Sequence, residues 1–527
     1  MSVTTAPRPA SMFTSGAAGE DRPTRDRLLT VAAVGIPTAL AAALCLYDIT
    51  TRSLWLDEAA TVSIASQHGA AFGSALAHDG GNMLGYYALI HVLIGAFGKG
   101  AFVLRFPSAI ASVATVWLVA TLGLRLFDRR IAFGAGLLAA VSLPLVYWGQ
   151  DARGYSLMVA LIAGSFLALV WAVESDRPLG PWIAYVVLTV GAVYAGLEAV
   201  LVIPAQLAVL IRYRDRWRAL GAAIAVVAAC CVPLAVLALN RGSGQLFWVP
   251  EPSFTTAYQV VQSLASTGLQ PNLYTATGDV LLVLTGLLLL FGVWRIWSIV
   301  RGTGGWAAAW APVLVLSWLI VPFVLALIES AAGQSIFQAR YLLVSLPAIA
   351  LLLGWTLLDR RVPAVLGIAA VGVLIGLRAA QIVPTYGVSS EDWRAATNHV
   401  LARARAGDCV AFYPLDNRMP FHYYLGGAAA KAPRPILPSV PFDQARVYVE
   451  DYATLPAGQL SALRSRCARV WLFTSHEGKA GGPPISSQNY TRLNALLASL
   501  RTEFPSSSKQ TFGTAKTVTL TLFTGGA

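Results

Sequence analysis

The feature that most constrains this chain is a succession of apolar runs separated by short, arginine-rich turns. They fall near 28–48, 104–126, 131–149, 155–173, 182–196, 197–211, 219–239, 279–299, 307–328, 340–358 and 362–382. A helix of about 17–25 such residues is long enough to cross a bilayer. The pair 182–211 divides at "YAGLE", because one unbroken helix there would be too long and would place the next basic loop on the wrong side. Composition agrees. The 527 residues are 56% hydrophobic and 12% charged, with a mean hydropathy of +0.62. That is too little charge to cover a soluble protein of this length. The expected fold is a polytopic α-helical membrane protein with about eleven transmembrane helices.

Charge placement sets the expected orientation. One set of turns carries Arg22, Arg25 and Arg27, then Arg129 and Arg130, Arg177, Arg212 to Arg218, Arg295 and Arg301, and Arg360 and Arg361. The opposite turns carry far fewer, such as Arg52, Arg153, Arg241 and Arg340. By the positive-inside rule the N-terminus lies in the cytoplasm and everything after residue 382 outside. The net charge of +12 is explained by these turns rather than by a nucleic-acid partner. No zinc-type Cys/His spacing and no glycine-rich phosphate loop occurs.

Three regions follow. Residues 1–27, rich in Ser, Thr, Pro and Arg, read as a disordered cytoplasmic N-terminus. Residues 28–382 form the membrane part, with a long first external loop at 49–103 whose stretch 84–98 reads as an interfacial helix, and another long loop at 240–278. Residues 383–527 read as an external soluble α/β domain. Its helices are "EDWRAATNHVLARARAG" and "NYTRLNALLASLRTEF", and its strands "CVAFYP", "ARVYVE" and "ARVWLFTS". Cys409 and Cys467 each precede a strand, and could be bridged outside the cell or remain separate buried thiols.

Few carboxylates lie on the external side of the membrane part. Asp57 and Glu58 follow Trp55 at the start of a loop helix. They are either catalytic or simply favourable charges at a helix N-terminus. In "HDGGNMLGYY", His78 and Asp79 precede what an ordinary turn would also explain. In "YWGQDARGYS", Asp151 and Arg153 are either a structural ion pair or functional groups. Arg340, opening the tenth helix, either reaches for lipid headgroups or for a ligand. Together these place carboxylates and two arginines at one membrane face. Arginine suits bidentate capture of phosphate, and a carboxylate suits removal of a proton from an attacking hydroxyl.

The motifs "SLWLDEAAT", "YYALIHVLIGAFGKGAFVLRFPSAIA", "QDARGYSL" and "FQARYLLVSLPAIALLLG", in this order, resemble the GT-C glycosyltransferases. The nearest branch is that of protein O-mannosyltransferase-like and aminoarabinose-transferase-like bacterial enzymes. The resemblance implies a polyprenyl-phosphate sugar donor (mannose, arabinose or similar) and an acceptor hydroxyl on a cell-envelope glycan, lipid or protein. It makes Asp57 the catalytic carboxylate with Glu58 beside it, Arg153 and Arg340 the holders of the departing phosphate, and inversion the outcome. His78, Asp79, Tyr86 and Asp151 would face the acceptor or cavity. Some superfamily members bind a divalent metal, Mg or Mn, near the first-loop acid and others do not, so Glu58 would orient either such a metal, held with Asp57, or the acceptor. Relatives commonly carry a proline pair where this chain has "NMLGYY", which leaves the acceptor open. The competing class is a lipid-linked-sugar flippase or other transporter, whose ionisable groups would be expected nearer the bilayer midplane.

Overall fold

The structure, a computed structural model, describes residues 21–527 except 243–245, 247, 268–275, 334, 445–446, 448–450, 515 and 526–527. Among the described residues, eight helices are long and apolar enough to cross a membrane. They are Arg25–Leu46, Ala101–Leu126, Tyr155–Glu174, Arg214–Arg241, Thr277–Arg301, Trp310–Ala332, Ala339–Leu358 and Ala364–Thr385. The run at 131–149 is a pair, Arg129–Ala140 and Leu143–Gly149, bent by 56°. Pro144, in the first turn of the second piece, lacks the N–H and the room that an unbroken helix would need there. The runs at 182–196 and 197–211 coincide with shorter apolar helices, Leu179–Ala195 and Leu197–Ile211, separated at Gly196. The first helix begins at Asp21, inside the stretch expected to lack structure, and the rest of that stretch lies outside the described residues.

Helix Ala339–Leu358 forms the centre of the bundle, with 94% of its span buried. Small residues let its neighbours approach. A Cβ at Gly354 would stand 2.9 Å from the Ala135 backbone nitrogen, so glycine is what permits that crossing. The 49–103 segment folds over one end of the bundle as three helices, Leu56–Ala65, Gly69–His78 and Leu84–Phe97. The last has 14 residues, roughly 21 Å and short of a span. It buries Tyr86, Tyr87 and Ile90 while Val92 and Phe97 stay exposed.

The C-terminal domain is built on five strands: β1 (Asp408–Tyr413), β2 (Arg434–Leu437), β3 (Arg469–Thr474), β4 (Ser506–Phe512) and β5 (Val518–Thr524). Their order is β2-β1-β3-β5-β4. β1 pairs parallel with β2 and β3, and β5 runs antiparallel to β3 and β4. β1 is buried along its whole length because both faces are covered. Val410 and Phe412 pack with Trp393 of helix Trp393–Arg403, while Cys409 and Ala411 pack with Leu493, Leu496 and Leu500 of helix Pro484–Glu503. Cys409 and Cys467 form a disulfide. "CVAFYP" and "ARVWLFTS" are strands as expected, β2, β4 and β5 were not anticipated, and most of "ARVYVE" lies outside the described residues.

This domain is tied directly to the first loop. Leu54 N–H donates to Tyr424 Oη at 2.6 Å and Ser53 N–H to Ser389 Oγ at 2.9 Å. Arg394 donates to the carbonyls of Thr50 and Thr51, both at 3.1 Å. The segment carrying Asp57 is therefore held between the helical bundle and the sheet domain.

Candidate active site

Asp57 and Glu58 occupy the first turn of helix Leu56–Ala65. Successive helical residues point about 100° apart, so adjacent side chains do not share a target. Glu58 turns into the protein. Its carboxylate receives Arg105 Nε at 2.7 Å on one oxygen and Nη2 at 2.7 Å on the other. The Ala152 N–H completes the set at 2.9 Å. Arg105 also donates to the carbonyls of Ile49, Arg52 and Ser53. Glu58, expected beside the chemistry, is thus a buried clamp joining the first loop, helix Ala101–Leu126 and the 150–154 turn.

Asp57 turns the other way. Its Oδ2 lies 3.0 Å from Arg340 Nη1 and 3.9 Å from Arg153 Nη2, and 26% of its side chain stays open. Burial works against ionisation, but Arg153, Arg340 and Lys516 outweigh it and hold the carboxyl below the usual carboxylate range. Arg340 sits in the turn that opens helix Ala339–Leu358, with its guanidinium 4.3 Å from the centre of the Trp248 ring. Arg153 donates to Tyr87 Oη at 3.0 Å. A Cβ on the following Gly154 would come within 2.4 Å of the Ala195 carbonyl, so the "RG" pair is required for Arg153 to take this place. Asp79 lies close to Arg153 and Tyr87, and burial pushes its carboxyl up to about 6 against both.

Three expected residues fall elsewhere. Tyr86 is fully buried, with its hydroxyl on Ser108 Oγ at 2.9 Å, and packs the first loop onto the bundle. Asp151 makes no side-chain pair with Arg153. It accepts from Trp55 Nε1 at 2.8 Å and so fixes the residue that precedes the acidic helix. His78 is exposed at the end of its helix, and no contact among the described residues joins it to the cluster.

Asp57 and Arg340 line a cavity of about 650 Å³ with Trp55 and Trp248 on the bundle side. Arg153 lies behind Asp57 and does not line it. The opposite wall comes from the C-terminal domain, through Asp416, His476 and Lys516. Glu391 joins the two halves. Its Oε2 accepts from Leu56 N–H at 3.2 Å and from Trp393 Nε1 at 2.8 Å, and its Oε1 is 3.3 Å from His476 Nε2. Burial pushes Glu391 up to about 7 and His476 down to about 3, so the imidazole is neutral at physiological pH. None of these wall residues stands in a recognisable motif, and the sequence gives no sign that they converge on residue 57.

A divalent cation held by Asp57 and Glu58 does not fit this arrangement. One carboxylate is saturated by Arg105, and the other faces two guanidiniums. Among the described residues no group of three or more His, Cys, Asp or Glu side chains converges as a metal site. What the cavity offers instead is two cations, Arg340 and Lys516, beside one ionised carboxylate, with Arg153 adding positive charge from behind, which suits a phosphate-bearing ligand.

The fold is similar to that of solved membrane glycosyltransferases. It is similar to ArnT from Cupriavidus metallidurans in the apo state, with a TM-score of 0.55 and 14% identity over 95% of this chain and 98% of that one. ArnT from the same organism bound to undecaprenyl phosphate gives 0.54 and 12% over 93% and 98%. The archaeal oligosaccharyltransferase AglB from Archaeoglobus fulgidus, in complex with an inhibitory peptide and a dolichol-phosphate, gives 0.51 and 13% over 94% and 74%. Residues 82–238 match the sequence family of dolichyl-phosphate-mannose-protein mannosyltransferases. No curated protein sequence matches significantly. The shared fold extends over nearly the whole chain, and the sequence-family match covers residues 82–238 of it.

Proposed function

We propose that this protein moves a sugar from a polyprenyl-phosphate donor to a hydroxyl of an envelope glycan, lipid or protein, at the external face of the cell membrane. The observation that carries this reading is the placement of Asp57 against Arg340 in a cavity lined jointly by the helical bundle and the C-terminal domain. Two similar structures contain a polyprenyl phosphate, undecaprenyl phosphate in one and a dolichol-phosphate in the other.

In this reaction the acceptor oxygen attacks the anomeric carbon as the bond from that carbon to the phosphate oxygen breaks. The electron pair leaves on the phosphate, and direct displacement inverts the anomeric centre. Arg340 lines the cavity and meets the growing charge on the phosphate. Arg153, behind Asp57, adds to the positive field and keeps that carboxylate in place. Asp57 takes the acceptor proton. With both arginines on it, Asp57 is a weak base. A phosphate competing for Arg340 weakens that hold, so donor binding itself raises the basicity of Asp57.

The test is Arg340→Ala in purified protein, with undecaprenyl phosphate as the probe. Affinity for the lipid phosphate should fall about tenfold or more, in line with loss of a charge-assisted contact. Unchanged affinity would remove Arg340 from the phosphate site.

A further inference from the structure

The wall of the cavity opposite Arg340 has chemistry of its own. Asp416 is 7% exposed and faces the cavity. Its carboxyl draws on the backbone N–H groups of residues 416 and 417, yet Oδ1 has no hydrogen-bond partner among the described residues. A buried oxygen left unpaired costs about 1–3 kcal/mol, so such atoms in a cavity point to a ligand that completes them. The loop holding Asp416 is rigidly placed. The neighbouring Asn417 side chain donates to the Tyr413 carbonyl at 2.8 Å and to the Ser475 carbonyl at 3.3 Å, linking it to the loop that carries His476. His476 itself has φ +56°, a left-handed conformation that a non-glycine residue holds only when its surroundings impose it.

On the proposed reading of the site, the direction of the ligand is fixed. The lipid tail must remain in the membrane and the phosphate lies at Arg340, so the sugar projects away from the bundle toward the C-terminal domain. We propose that this domain is the sugar-recognising half of the site and that Asp416 Oδ1 hydrogen-bonds a hydroxyl of the sugar carried by the lipid phosphate. This proposal rests on the lipid-phosphate reading above. Burial, with the charges of Asp57 and Asp451 near it, pushes the Asp416 carboxyl up to about 8. At neutral pH it is therefore largely protonated, does not repel the phosphate, and can both donate to and accept from a hydroxyl. Lys516 and the neutral His476 flank it on the same wall.

The experiment uses full-length protein in nanodiscs and follows the fluorescence of Trp55 and Trp248, which line the cavity. The probes are bare undecaprenyl phosphate and undecaprenyl-phosphate mannose, glucose and arabinose. Wild type should bind at least one sugar-bearing lipid more tightly than the bare phosphate. Asp416→Ala should erase that difference, a loss of about tenfold, while binding bare undecaprenyl phosphate within about twofold of wild type, which also reports that the variant is folded. Asp416→Asn, which keeps an acceptor oxygen, should retain part of the difference. A sugar-dependent difference that survives Asp416→Ala overturns the proposal. If it survives and the variant instead needs more membrane-fraction acceptor to reach half-maximal transfer, the hydroxyl recognised belongs to the acceptor and the donor assignment is wrong. Failure of wild type to bind bare undecaprenyl phosphate would overturn the underlying lipid-phosphate reading, and this proposal with it.

Discussion

Replacing Glu58 by glutamine separates the two carboxylates that stand side by side in the sequence. In the structure Glu58 is 1% exposed and its partner Arg105 about as little, 2%. The change removes the charge opposite a buried guanidinium and turns an NH2 group toward it. The pair is held by two contacts of 2.7 Å, with a third bond of 2.9 Å from Ala152 N–H. Breaking one side of a buried ion pair costs about 3–5 kcal/mol, because the other charge is left uncompensated. Even the lower figure lowers the apparent unfolding temperature by about 6 °C, at about 2 °C per kcal/mol for a large domain. The assay is thermal unfolding in detergent at one fixed scan rate, since unfolding of a membrane protein is rarely reversible. Transfer per folded molecule is measured well below the transition. A Glu58→Met/Arg105→Met double variant, which leaves no lone charge, should recover part of the loss. Wild-type unfolding temperature together with abolished transfer in Glu58→Gln would refute the structural assignment and return Glu58 to the chemistry.

Two further outcomes follow from the same geometry. Glu391 is fully buried, and its carboxyl is raised from 4.5 to about 7, with Asp57 adding to the effect of burial and Lys516, Trp393 and Leu56 N–H opposing it. A raised carboxyl stabilises the fold fully below its unfolded value and loses that contribution as pH climbs through the folded one, here between about 4.5 and 7 and worth about 3 kcal/mol. Wild type should therefore unfold at a lower temperature at pH 8 than at pH 5 and Glu391→Gln should show a smaller drop, whereas equal drops would contradict the assignment. Orientation can be checked in intact cells lacking Cys230 and Cys231. A membrane-impermeant thiol reagent should label a cysteine placed at the exposed Lys509 and miss one at the exposed Arg214, and the reverse pattern would invert the topology.

Much of the membrane part is legible because a bilayer imposes a length and a polarity on each segment, so the apolar runs coincide with apolar helices. The bend at Pro144 and the break at Gly196 are local chemistry that hydropathy averages away. In the C-terminal domain, β1 and β3 announce themselves as short β-branched and aromatic runs. β4, "SSSKQTF", is exposed over nearly its whole length and has no apolar alternation to read. At the site, Asp57, Arg153 and Arg340 stand in recognisable motifs, and the structure brings them together across 283 residues of sequence. The separation of Asp57 from Glu58 was implicit in helix geometry, since neighbours on a helix face different ways. Asp416, His476 and Lys516 reach the cavity, and Glu391 reaches the Leu56 N–H, only through the docking of one domain on another, which no local pattern encodes.

The central claim is that Asp57 carries the transfer. Purified wild type and Asp57→Asn, matched for folded protein by unfolding profile, should be supplied with radiolabelled polyprenyl-phosphate sugars and membrane-fraction acceptors. Asp57→Asn should lose at least about 100-fold in transfer, the range for removing a general base, while remaining folded. Transfer near the wild-type rate by Asp57→Asn would contradict the account.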